Sequence, residues 1–171
     1  PLISKYAITL EGATPLLVGL AVGGYALFQV VLQIPFGVLS DKIGRKKTIL
    51  IGLSVFIIGS IVCYLADDIY MLVIGRLLQG AGAIGAVVSA MIADTVVEES
   101  RTKAMAIMGG TISMSFTFAL ILGPLISNAY GIESLFLLTA ILAILAIALL
   151  FTATPNPPKV TYTFEDDEAN W

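Results

Sequence analysis

Five long apolar runs constrain this chain more than any other feature. They cover about residues 14–39, 48–66, 69–93, 104–126 and 135–153. Each approaches or exceeds the roughly 20 residues that a helix needs to cross the hydrocarbon core of a bilayer. Lipid offers no partner for a bare backbone amide, so such runs must be helices or strands of a closed barrel. The segments are too long for barrel strands and lack alternation, which selects helices. Their connections are short, so neighbours run antiparallel. Composition agrees: 58% of the residues are hydrophobic and 12% charged, where a soluble domain carries about a quarter charged residues. The expected fold is an all-α membrane protein, an antiparallel transmembrane helix bundle bathed in a lipid bilayer.

Several function classes drop out. The chain has no histidine and a single cysteine, Cys63, inside an apolar run. A His/Cys metal site and an intrachain disulfide are therefore excluded, and Ser-His or Cys-His catalysis is disfavoured. A membrane enzyme would lack a nucleophile–base pair. No basic patch with interleaved aromatics points to nucleic acid. The net charge of -3 says little about partners, because it mixes the two sides of a membrane and includes the run Glu165-Asp166-Asp167-Glu168. The chain opens at Pro1 with neither an initiator Met nor a signal-peptide pattern. It reads as a fragment.

Cation placement orients the bundle. Lys42, Arg45, Lys46, Lys47, Arg101, Lys103 and Lys159 fall in one set of connections, and only Lys5 in the other, beside Glu11, Asp67, Asp68 and Glu133. Cytoplasmic loops carry the excess of Lys and Arg. Residues 40–47, the loop up to Lys103 and the tail are therefore expected in the cytoplasm. Residues 1–13 become an extracytoplasmic loop, and residues 154–171 an acidic cytoplasmic linker, disordered by composition.

Within the spans, polar and small residues mark the chemistry. The first span carries Gly19, Gly23 and Gly24, a small-residue pattern suited to close helix approach. Tyr25, Gln29 and Gln33 share a face at i, i+4 and i+8, and amides at membrane depth should face protein or water. Gln29 either lines a cavity or makes an interhelical hydrogen bond. Pro35 should bend this helix. The second span is nearly featureless apart from Gly52 and Gly59 and is expected to face lipid. The third holds Arg76, which must snorkel, pair or line a wet cavity. Gln79, Gly80, Gly82 and Gly85 follow it, and Asp94 ends the span. The fourth offers Ser113 and Phe116, then Gly123-Pro124, a pair that interrupts the helical ladder.

Between the first two spans lies Gly37-Val38-Leu39-Ser40-Asp41-Lys42-Ile43-Gly44-Arg45-Lys46-Lys47. It resembles the signature loop between helices two and three of the major facilitator superfamily, G-x-L-a-D-r-x-G-r-k. Arg76-x-x-Gln79-Gly80-x-Gly82-Ala83 is similar to the second motif of that family, on helix four, with Asp94 where the family carries an acid. Ala119-x-x-x-Gly123-Pro124-x-x-Ser127 resembles the antiporter motif of helix five, although Ala119, Ser127 and Asn128 replace its glycines.

The resemblance implies a part of the N-terminal six-helix domain, helices two to six of twelve, with helix one and the C-terminal half as missing partners. It implies a secondary transporter of a small-molecule substrate, working by alternating access, in a proton-coupled efflux or antiporter branch of the cell inner membrane. No cofactor beyond a proton gradient is implied. Gly37, Asp41, Gly44, Arg45, Lys46 and Asp94 would form a cytoplasmic gating motif, with Arg45 reaching Asp94 and Gly37 allowing close helix approach. Arg76, Gln79 and Gly80 would serve coupling or the cavity. Tyr25, Gln29, Ser113 and Phe116 are the cavity candidates, suited to amphiphilic or neutral solutes. No carboxylate lies near the middle of these spans, so a proton-binding acid would sit on helix one or in the second half. The other reading is a receptor-like or assembly module built from half a transporter.

Overall fold

A computed structural model describes residues 2–82 and 84–154. The helices are α1 (Leu2–Thr9), α2 (Pro15–Ile43), α3 (Arg45–Tyr64), α4 (Ile69–Ala81), α5 (Gly85–Thr95), α6 (Glu98–Tyr130) and α7 (Glu133–Ala153). Five segments are long and apolar enough to cross a membrane: Pro15–Ile43, Arg45–Tyr64, Ile69–Thr95, Glu98–Tyr130 and Glu133–Ala153. The acidic linker expected from residue 154 lies, after Thr154, outside the described residues.

Local chemistry sets the ends. Thr14 caps α2 by accepting the Leu17 amide at 3.3 Å, and Pro15 occupies the first turn, where its missing N–H costs nothing. Asp68 caps α4 by accepting the Met71 amide at 2.8 Å. The Ile69 amide also donates to the Glu11 carbonyl at 3.2 Å, which ties the start of α4 to the segment before α2. α2 and α6 run on as helices through Pro35 and Pro124.

Four expectations change. Residues 1–13 are not simply a loop: Leu2–Thr9 is helical, and Ala7 is fully buried among Cys63, Ala66, Ile69 and Phe136. Eight residues are too few to register as a span, so only packing reveals this helix. The bridge of residues 37–47 is no loop either. It is the last turns of α2 and the first of α3, interrupted by Gly44 alone, whose φ of +98° suits glycine. The third span divides into α4 and α5 around Gly82 and Ile84.

The largest change concerns α3, expected to face lipid. It packs against both α4 and α7, and Gly59 leaves room for the α4 backbone. A Cβ at Gly59 would fall 2.5 Å from the Gln79 amide nitrogen. The exposed helix is instead α6, in which no residue is buried among the described residues.

A charged helix turn and a buried arginine as the candidate functional site

Two polar clusters stand out in this apolar bundle. The first forms where α2 turns into α3. Arg45 leads α3, and its Nη1 lies 2.6 Å from Asp41 Oδ1 while its Nε donates to Asp94 Oδ2 at 2.8 Å. Nη1 also donates to Ser40 Oγ, whose own hydroxyl donates to the Gly37 carbonyl at 2.7 Å. One guanidinium thus joins the end of α2, the start of α3 and the end of α5. The Arg45 side chain is 15% exposed and Asp94 24%, against 51% for Asp41. The Asp94 contact is therefore the sheltered one. The Asp41 contact is of the exposed i,i+4 kind, worth about 0.3–0.5 kcal/mol.

Two further cations cap helix ends nearby. Lys46 Nζ donates to the Thr154 carbonyl beyond α7, and Arg101 Nη2 donates to the Ala93 carbonyl in the last turn of α5 at 3.0 Å. Both satisfy carbonyls that a helix C-terminus leaves without partners. Gly37 does not serve close helix approach in this chain, since nothing lies within 4 Å of a Cβ built there.

The second cluster surrounds Arg76 on α4. Its Nε donates to the Ala21 carbonyl of α2 at 3.0 Å, and its Nη1 to Gln79 Oε1 at 2.7 Å. Its guanidinium carbon stands 4.6 Å from the centroid of the Tyr25 ring, a distance typical of cation–π contact. Gln79 Nε2 continues the chain to Ser60 Oγ on α3 at 2.8 Å. Gly80 makes the approach possible: a Cβ there would fall 2.2 Å from the Tyr25 carbonyl oxygen. Arg76 is thus paired inside the bundle, not merely extended toward an interface.

The candidates divide accordingly. Tyr25, Arg76, Gln79 and Gly80 come together, as do Asp41, Gly44, Arg45 and Asp94. Gln29 is half-buried on α2. Ser113 and Phe116 lie on the uncovered α6, Phe116 at 68% exposure, and Ser113 returns its hydroxyl to the Gly109 carbonyl at 3.0 Å. The proposed cavity walls are therefore not gathered around Tyr25 in this chain. Gly123 of α6 faces Leu2, whose Cδ1 would lie 3.7 Å from an added Cβ, while Pro124 is exposed. An apolar cavity of about 390 Å³ opens between α3, α5 and α7, lined by Ile49, Leu53, Val88, Met91 and Leu150 among others, and carries no charged side chain.

Sequence reading missed Ser60, Ser40 and the Ala21 carbonyl. The serine beside Gly59 in an apolar span, one of two with Ser54, was the available signal, since such hydroxyls bond across helices. Outside the spans, burial first and then the Glu133 carboxylate push the Tyr6 phenol up to about 12, and its hydroxyl donates to the Ala66 carbonyl at 3.3 Å.

The family model described as Major Facilitator Superfamily matches residues 1–171. The chain belongs to the major facilitator superfamily. It is a multi-pass membrane protein of a transporter family, not of an enzyme family. It is 47% identical over 156 residues to the inner membrane transport protein YajR of Escherichia coli strain K12, covering 91% of this chain and 34% of that protein. It is 42% identical to the uncharacterized transporter BU466 of Buchnera aphidicola, over 93% of this chain and 41% of the relative. Identity to the class B tetracycline resistance protein of Escherichia coli is 34%, over 85% of this chain and 37% of that protein. The crystal structure of the POT family transporter PepTSo shares the fold, with a TM-score of 0.66 and 19% identity over 92% of this chain and 35% of that one. The major facilitator chain thus spans 34–41% of the length of these relatives.

Proposed function

We propose that this chain is part of a secondary transporter that moves a small solute across the inner membrane by proton-coupled efflux. Arg76 carries the proposal. It is a cation inside a membrane span, held by Ala21, Tyr25 and Gln79, and its Nη2 has no hydrogen-bond partner among the described residues. Holding a full charge at that depth is costly unless it serves a substrate or ion path. No carboxylate in the middle of these spans neutralises it, so its counter-charge comes from an anionic or proton-binding group elsewhere in the full-length protein, or from the substrate.

The turn around Gly44 acts as a cytoplasmic gate in this reading. Asp41 keeps half of its surface free while Arg45 anchors it to Asp94, which leaves a carboxylate available to the second half of the transporter. Helix one and that second half would cover α6 and the open glycine flank of α2. Two relatives support the setting: one is named an inner membrane transport protein and another a tetracycline resistance protein.

The test uses the full-length protein in everted membrane vesicles carrying an acid-inside pH gradient reported by acridine orange. Tetracycline, ethidium and chloramphenicol serve as probes. Collapse of the gradient on adding a probe, lost in Arg76→Ala, supports proton-coupled efflux through this site. Equal responses from Arg76→Ala and the wild type remove Arg76 from the mechanism, and the absence of any response to all three probes overturns drug efflux.

A further inference from the structure

We propose that Ser60, about four turns along α3 from the charged signature at its start, is a positioning residue that fixes the direction of the Arg76 guanidinium through Gln79. The inference rests on the reading of Arg76 as a coupling residue. Arg76 has only donors, so the Gln79 carboxamide must turn its oxygen toward it, as it does at 2.7 Å. The other end of the same amide, Nε2, then needs an acceptor in a place where water does not reach, because Gln79 is 3% exposed and Ser60 fully buried.

Ser60 supplies that acceptor. Its hydroxyl donates to the Phe56 carbonyl at 2.9 Å, which leaves Oγ to accept from Gln79 Nε2 at 2.8 Å. Thr139 of α7 approaches Ser60 Oγ at 3.4 Å, with its own hydroxyl also directed to the Phe136 carbonyl at 2.8 Å. A flipped amide would set Nε2 against the guanidinium, donor against donor, and Oε1 against a hydroxyl whose hydrogen points elsewhere. Arg76 and Ser60 together therefore favour one of two amide orientations, the one that accepts from Nη1 at one end and donates to Ser60 Oγ at the other. Without Ser60, Nε2 loses its buried acceptor, and only Arg76 Nη1 and the Cys63 thiol, 3.9 Å from Oε1, hold the amide in place.

The test is a double-mutant cycle on the full-length protein in nanodiscs, selectively labelled with ¹⁵N-arginine. The Arg76 side-chain N–H signals are assigned by their loss in Arg76→Lys. Ser60→Ala should speed solvent exchange of those signals about tenfold, the factor for losing about one buried hydrogen bond. Gln79→Ala should do the same, and the double variant should add nothing. Should Ser60→Ala fail to insert, Ser60→Cys, close in volume and a poor acceptor, completes the cycle. Unchanged Arg76 exchange in the Ser60 variant, or additive effects in the cycle, overturns the positioning role. This readout does not depend on transport: failure of Arg76→Ala to affect transport would sink the coupling reading and leave the cycle standing.

Discussion

Arg45 Nε and Asp94 Oδ2 meet at 2.8 Å across 49 residues of sequence. The pair clamps the first turn of α3 to the last turn of α5, at the end of the bundle where α2 and α3 are separated by one glycine. Its partner contact with Asp41 is shorter, at 2.6 Å, but half in solvent. Burial, not distance, ranks the two.

Asp94→Ala should therefore lower stability by about 1–3 kcal/mol, since it leaves a sheltered charged donor unpaired, while Asp41→Asn should cost under about 1 kcal/mol. Thermal unfolding of the full-length protein in detergent measures both. Under the proposed gate, Asp41→Asn should still slow the transport cycle; an unchanged rate would reduce the turn to a topology signal.

Arg76→Ala should abolish coupled transport and leave membrane insertion intact. Arg76→Lys should also fall by at least about tenfold, because an ammonium keeps the charge but not the fork that spans Ala21 and Gln79. Vesicle transport and size-exclusion profiles of the same variants check the two halves of this statement.

Gly80→Ala should disrupt packing, by about 1–3 kcal/mol or more, because the new methyl group would meet the Tyr25 carbonyl at 2.2 Å. Gly23→Ala adds the same methyl group where nothing lies within 4 Å in this chain. The yield of monodisperse full-length protein should fall for the first; a fall for the second as well supports the proposed cover over the glycine flank of α2, and a full yield argues against it.

Tyr6 should titrate late. Burial and Glu133 favour its neutral phenol, so its value rises from 10.0 to about 12. A proton held more tightly in the fold means stability present below pH 10 and lost as pH rises through about 12. The difference absorbance at 295 nm between the wild type and Tyr6→Phe should show a midpoint near 12; a midpoint at 10 would place Tyr6 in solvent.

Local properties made much of this legible before folding. The length of an apolar run and the side on which Lys and Arg fall depend on a few neighbouring residues and on the bilayer. The five membrane segments and the signature at residues 37–47 could be read from them, and Arg76 announced itself as a charge where lipid tolerates none.

Which face meets which helix is another matter, and tertiary structure alone decided it. Spans that are apolar all round carry no stripe to say where the core lies. Gly59 and Gly80 are compatible with several neighbours, and only the closeness of the α3 and α4 backbones, and of α2 and α4, shows which they serve. These contacts brought α3 inside and placed Ser60 behind Gln79, while the burial of Ala7 ties α1 to the bundle. A serine in an apolar run states that a hydrogen bond exists somewhere; the crossing of two helices states with whom.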